Sequence, residues 1–288
     1  MSSVWNKIVG QHKAVERLQQ LAINNVHAFL FIGPEGCGKE DAARAFASVL
    51  ITGSDNENSR EADLITRGAF ADVFEVLREG AAVDKDEAEE IIRLASTTPT
   101  ESNVKVVIIH EVHLMRDSAA ARLLKTIEEP SEKVIFILLA DQLVPSLATI
   151  NSRCVVVNVM RLTNDIISKT LINEGVEQGV AIAAANVAAG NLPRARLLAA
   201  DERLANRQEA FASVPFRLDG AGSTVANIVD ELFERIDEAS APLVEQQALE
   251  LKDLEARVSL TGERGSGRKA LQDRHKRQLR KFNTDELR

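Results

Sequence analysis

Ala28-Phe29-Leu30-Phe31-Ile32-Gly33-Pro34-Glu35-Gly36-Cys37-Gly38-Lys39-Glu40 decides the reading of this chain. Five apolar residues of strand length run into a turn punctuated by glycines, and a helical pattern follows at once over 41–50. Glycines let backbone N–H groups point at an anion, the helix start adds the positive end of its dipole, and a lysine reaches terminal phosphates. In that strand, loop and helix setting, Gly33, Gly36, Gly38 and Lys39 are candidate phosphate-binding residues. The last position breaks the pattern. A Ser or Thr hydroxyl should follow the lysine to coordinate Mg²⁺, and Glu40 stands there instead, bringing negative charge close to a polyanion. Metal-nucleotide binding is therefore expected to be weakened or lost.

Further apolar runs of strand length lie at 73–77, 104–109, 134–139 and 154–157. Near-continuous hydrophobic strands of this kind belong to a parallel sheet covered on both faces. Between them, Ala88, Ile91, Ile92 and Ala95 follow the i, i+3, i+4, i+7 spacing of an amphipathic helix. The pattern predicts a doubly wound α/β domain over about 1–161 with a five-stranded parallel sheet. From Thr163 the strand signals stop, and Thr163-Asn164-Asp165 offers helix-capping chemistry, so a small helical domain is expected over 162–203. Beyond it, 225–236 and 243–254 read as helices separated by Ser240-Ala241-Pro242, and 262–267 reads as a break before a basic stretch. The region 204–288 is thus expected to be partly helical, partly linker.

The run at 104–109 leads into His110-Glu111-Val112-His113, where a Walker B acidic pair would sit in a phosphate-loop enzyme. There the first acid supports Mg²⁺ and the second activates the attacking water. Glu111 keeps the second role as a candidate catalytic residue, but His110 replaces the first acid. Two departures, Glu40 and His110, fall on the same metal ion.

With these pieces placed, the chain resembles bacterial clamp-loader subunits of the AAA+ P-loop ATPases over about 4–200. Ile8-Val9-Gly10-Gln11 is similar to the family's V-G-Q box, which lies near the adenine pocket and makes Val9 a nucleotide-binding candidate. Leu123-Leu124-Lys125-Thr126-Ile127-Glu128-Glu129-Pro130 is close to its L-L-K-x-x-E-E-P box, and Ile150-Asn151-Ser152-Arg153-Cys154 matches its I-x-S-R-C signature. By that resemblance Arg153 is a trans-acting arginine finger, reaching the γ-phosphate bound to a neighbouring subunit. Gly190-Asn191-Leu192-Pro193-Arg194 looks like the sensor-2 region of the lid, with Arg194 the phosphate contact. Motor subunits of the family carry a complete Lys-Ser/Thr, an Asp-Glu pair and usually a four-cysteine zinc module, and this chain has none of the three. The polar loop Gly53-Ser54-Asp55-Asn56-Glu57-Asn58-Ser59 stands where the module would be.

The resemblance therefore implies a delta-prime-type subunit of DNA polymerase III, acting as a rigid stator that completes a neighbour's active site while the sliding clamp is loaded. Its implied partners are clamp-loader ATPase subunits, a clamp-opening subunit, the sliding clamp, and primed DNA through the complex. No cofactor is required on this reading, beyond weakly bound ATP or ADP. Region 204–288 would be a remnant of the family's helical collar, shortened or incomplete in this sequence, or a linker with a basic tail. The alternatives are an active AAA+ ATPase, whether motor subunit or branch-migration helicase, and a nucleic-acid adaptor using the basic stretch.

A formal net charge of −8 argues against coating duplex DNA by charge alone. Charge is uneven, however: between 264 and 281 the basic Arg264, Arg268, Lys269, Arg274, Lys276, Arg277, Arg280 and Lys281 face the single acid Asp273. Cys37 and Cys154 cannot build a tetrahedral zinc site without other ligands, and no structural metal is expected. Apolar runs are far short of a membrane span and no leader pattern opens the chain, so a soluble, cytoplasmic protein without membrane contact is expected.

Overall fold

The computed structural model describes residues 2–24, 26–78, 82–83, 85–131, 133–200, 213–261, 271–272, 275–276 and 279. They fall in two compact units, Met1–Thr170 with Ala189–Leu192, and Leu171–Ala188 with Pro193–Arg288.

The first unit is built on five parallel strands, β1 (Ala28–Ile32), β2 (Val73–Val76), β3 (Lys105–Ile109), β4 (Val134–Ala140) and β5 (Val155–Asn158), in the order β2-β3-β4-β1-β5. All five apolar runs read from the sequence are strands, each within about a residue of its expected ends. Side chains alternate across a strand, so Phe29 and Phe31 enter one hydrophobic cluster while Ala28 and Leu30 enter the other. The first cluster is closed by α1 (His12–Leu21), α2 (Lys39–Thr52) and α3 (Arg60–Thr66), through Leu18, Phe46 and Ile65. Phe46 meets Phe29 edge-on at 4.9 Å between ring centroids, an arrangement favoured by the ring quadrupoles. The second cluster is closed by α4 (Lys85–Ala95) and α5 (Asp117–Glu128), through Ala88, Ile91, Leu123 and Ile127. A short α6 (Ala148–Asn151) leads into β5.

Asp72, just before β2, is fully buried and accepts hydrogen bonds from the backbone N–H of Thr100 (2.6 Å), Glu101 (2.7 Å) and Ser102 (2.8 Å) and from the Ser102 hydroxyl (3.0 Å). Burial alone would raise its pKa, but these donors hold it below the ordinary carboxylate value. The clamp ties the approach to β3 against β2. Its neighbour Lys105 is also buried, and its ammonium donates to the carbonyls of Leu94 (3.2 Å) and Thr97 (2.8 Å) at the carboxyl end of α4, where a cation is favoured by the helix dipole.

Helix α7 (Asn164–Asn173) starts where the capping signal predicts: the Ile166 N–H donates to the Thr163 hydroxyl at 3.3 Å. In the second unit, α8 (Gln178–Val187) is capped by Glu177, whose carboxylate accepts from the N–H of Gly179 and Val180 at 3.0 and 3.1 Å. Its buried face is alanine-rich, with Ala181, Ala184 and Ala185, and α9 (Leu192–Ala199) follows. The break expected at Ser240-Ala241-Pro242 is absent: α10 (Gly222–Thr261) runs through it. An interior proline removes one backbone hydrogen bond and crowds the preceding turn. The helix continues because strong helix formers, Glu245 to Leu251 among them, propagate it beyond that position. The expected break at 262–267 lies outside the described residues, as does most of the basic stretch.

Candidate functional site

The phosphate-type loop leaves the carboxyl edge of β1, beside the strand that adjoins it. Gly33 N–H donates to the carbonyl of Ala140, the last residue of β4, at 3.0 Å, so the loop is anchored between neighbouring strand ends. A crevice at such strand ends is where open α/β sheets place ligands. A Cβ on Gly33 would lie 2.3 Å from the Val159 carbonyl oxygen, and one on Gly36 would lie 2.1 Å from the Asn191 amide oxygen. Only glycine fits these two close approaches. The second brings Ala189–Leu192 onto the loop, and Leu192 N–H donates to the Gly36 carbonyl at 3.1 Å. Gly38, at φ 91°, opens α2. Cys37 lies buried beneath the loop, and burial pushes its thiol up to about 11.

Lys39 points inward with its side chain 3% exposed. Its ammonium lies 2.8 Å from Asp141 Oδ1, 3.2 Å from Glu40 Oε1 and 3.4 Å from the Pro34 carbonyl. Burial alone would lower its pKa, but Glu40 and Asp141 raise it above the ordinary lysine value. Asp141 follows β4 directly, and its own backbone N–H donates to His113 Nδ1 at 3.2 Å. The other imidazole nitrogen faces Asp141 Oδ2 at 3.5 Å.

His110 continues β3 and hydrogen-bonds across to β2, its N–H donating to the Val76 carbonyl at 3.0 Å. Its ring Nε2 is 3.1 Å from Glu75 Oε2. Glu75 is gripped in turn by Arg44 of α2, Nε to Oε1 at 2.6 Å and Nη2 to Oε2 at 2.8 Å. Burial would raise the Glu75 pKa, but the Arg44 guanidinium and His110 ring hold it far below the carboxylate range. Glu111 sits in left-handed backbone at φ 51° and pairs with Arg78 at 2.8 Å.

A nucleotide's magnesium ion fits this arrangement poorly. The two positions that should support it are Glu40, paired with Lys39, and His110, paired with Glu75. Among the described residues no group of three or more His, Cys, Asp or Glu side chains is placed to hold a metal ion.

The amino-terminal box is joined to the loop through Gln11 rather than Val9, which is half-buried. The buried Gln11 amide donates to the carbonyls of Cys37 (3.0 Å) and Met160 (2.6 Å), and its oxygen accepts from Met160 N–H at 3.0 Å.

The two family-like boxes meet at one ion pair. Arg153 Nε donates to Glu128 Oε1, and Nη1 donates to the Thr149 carbonyl at 2.8 Å and to Ser152 Oγ at 3.0 Å. Its side chain is 36% exposed. Strands β1 and β5 run parallel, with Phe29 opposite Val155 and Ile32 opposite Asn158. Arg153 therefore precedes β5 at the amino edge of the sheet, whereas the glycine loop leaves the carboxyl edge. Val155, two residues after Arg153, is level with Phe29, four residues before Gly33; at a strand rise of ~3.3 Å per residue that alone is about 13 Å, beyond the span of an arginine side chain. Arg194 lies in the first turn of α9, within the second unit.

The structure thus brings Gly33, Gly36, Gly38 and Lys39 together and keeps Arg153 away from them. Asp141, Glu75 and Arg78 are site residues that lie in none of the motifs read from the sequence, whereas Gln11 and Glu128 stand inside two of the family-like boxes, where the sequence assigns them no role. Two carried a signal: Glu75 is the one charge within β2, and Asp141 is an acid directly after the apolar strand β4.

A family model described as DNA polymerase III, delta subunit, matches residues 10–163. DNA polymerase III subunit tau of Bacillus subtilis is 36% identical over 172 residues, 57% of this chain and 30% of that protein. Subunit delta′ of the same organism is 32% identical over 181 residues, 59% of this chain and 55% of that protein. The chain spans about half or less of the length of these relatives. A solved gamma subunit-related protein from Thermotoga maritima aligns with 94% of this chain and 99% of its own at 16% identity, with a TM-score of 0.47. No helix among the described residues is long and apolar enough to cross a membrane.

Proposed function

This chain belongs to the DNA polymerase III delta subunit family of clamp-loader AAA+ proteins, and from that premise we propose that it is a non-hydrolysing subunit of the delta-prime type. In this role it donates Arg153 to the ATP site of a neighbouring subunit while the complex loads the sliding clamp onto primed DNA. One observation carries the proposal: Arg153 is exposed at the opposite end of the parallel sheet from the chain's own phosphate loop. A guanidinium so placed can stabilise phosphoryl-transfer charge only on another subunit's nucleotide. The pairing of Glu40 with Lys39 and of His110 with Glu75 supports the absence of hydrolysis here. Clamp-loader ATPase subunits and a clamp-opening subunit are the partners of this reading, and weakly held ATP or ADP is the most it asks of the loop.

The test is reconstitution with ATPase partner subunits and measurement of DNA- and clamp-stimulated turnover. Arg153→Ala should lower that turnover by on the order of 10³, with the complex still assembling on gel filtration. Unchanged turnover would remove the finger assignment. Robust hydrolysis by the chain alone that depends on Lys39 and Glu111 would make it an active ATPase instead.

A further inference from the structure

We infer that Asp141 is a built-in anion that occupies Lys39 in place of a nucleotide phosphate, so that the glycine loop is held closed as a structural joint. The inference deepens the non-hydrolysing reading and rests on it, in that both give the loop no catalytic role.

An ammonium has three N–H donors and no acceptor. Three acceptors stand around Lys39 Nζ: Asp141 Oδ1 at 2.8 Å, Glu40 Oε1 at 3.2 Å and the Pro34 carbonyl at 3.4 Å. Its donor capacity is filled from within the chain. Two of the acceptors are charged, and the third belongs to the loop itself.

The closest of them is also fixed from behind. Because His113 Nδ1 accepts the Asp141 N–H, a neutral ring carries its proton on Nε2, the atom that faces Asp141 Oδ2 at 3.5 Å. The imidazole thus holds the backbone of Asp141 by a hydrogen bond and stands beside the carboxylate that faces Lys39. The positive end of α2 is likewise answered internally, since Glu40 and Asp141's fellow acid Asp41 lie in its environment, both of them in the helix's first turn. An arriving phosphate would have to displace Asp141 from Lys39 and then lie beside Glu40. Carboxylate substitution at His110 or a hydroxyl at Glu40 would not relieve the first obstacle.

The experiment is a calorimetric titration of the full chain with ADP, in EDTA so that the metal positions play no part. The parent, Asp141→Asn, Lys39→Ala and the Lys39→Ala/Asp141→Asn double variant are compared, and each is also melted. Asp141→Asn should bind ADP at least on the order of tenfold more tightly than the parent, the effect of removing one charge-assisted competitor. Lys39→Ala should lower Tm by leaving Asp141 without its cation, and the double variant should recover part of that loss. If Asp141→Asn does not fold, His113→Ala takes its place and should also tighten ADP binding by releasing Asp141. Tight ADP binding by the parent that needs Lys39 and is unchanged in Asp141→Asn or His113→Ala would overturn the inference. So would an Lys39→Ala melt identical to the parent's. Neither result bears on Arg153, whose role is read from the turnover of the complex.

Discussion

Where Mg²⁺ support would be expected, the chain has an internal hydrogen-bonded network, the Arg44–Glu75 ion pair with His110 against the same carboxylate. A carboxylate held below its unfolded-state pKa adds stability above that value, and the gain is lost as pH falls through the window beneath it. Glu75→Gln should therefore lower stability by ~2–4 kcal/mol at pH 7, because it leaves Arg44 half-paired in a largely buried position. The gap to the parent should narrow as pH drops below about 4, the ordinary glutamate range; urea unfolding at pH 7 and at acid pH measures both. A gap independent of pH would mean that Glu75 acts through packing. At this scale the sequence shows half of each pair. Lys39, Glu40, His110 and Glu111 are legible because a motif specifies what should stand there. Glu75 and Asp141 signal only that a charge stands in or beside an apolar strand; which partner meets it depends on which strands become neighbours, a property of the sheet rather than of any short stretch.

Elements are more legible than contacts. The strands announce themselves because the three central ones, β1, β3 and β4, are buried on both faces, β3 along its whole length, and such runs need little context; the edge strands β2 and β5 are only partly buried. Helix α3, by contrast, directly follows the polar loop 53–59 and shows no such run, with only Ala62 and Ile65 buried. The reading of 240–242 as a boundary fails for the opposite reason, since one proline is weighed there against the many helix formers of α10. Between elements, Asp72 is the main polar link from β2 to the segment before β3. Asp72→Ala should cost ~2–4 kcal/mol by leaving buried backbone donors without an acceptor, and Asp72→Asn should cost less because one oxygen still accepts. Equal losses in thermal melts of the two variants would show that charge, not acceptor capacity, is what the clamp supplies.

Across the α/β unit as a whole, the sheet divides the interior into two cores that share strands but not side chains. Phe46→Ala on one side should cost ~3–5 kcal/mol and Leu123→Ala on the other ~2–5 kcal/mol. Measured together by denaturant titration, the two losses should add to within about 0.5 kcal/mol, as expected of sites without common neighbours; a larger departure would mean that strain passes through the sheet. That a parallel five-stranded sheet exists is legible in the apolar runs, whereas its order β2-β3-β4-β1-β5 is not, since alternation and length say nothing about adjacency. Gln11 gives this topology a consequence in time. Its amide joins the start of α1 to Met160, which lies 149 positions away in sequence, so the bond cannot form until β5, the last of the five strands in chain order, has docked beside β1. Interactions absent from the folding transition state govern how fast a protein comes apart, with little influence on how fast it assembles. In a stopped-flow chevron, Gln11→Ala should steepen escape from the native state and leave the refolding limb nearly where it was, making this one side chain a latch on the lifetime of the loop.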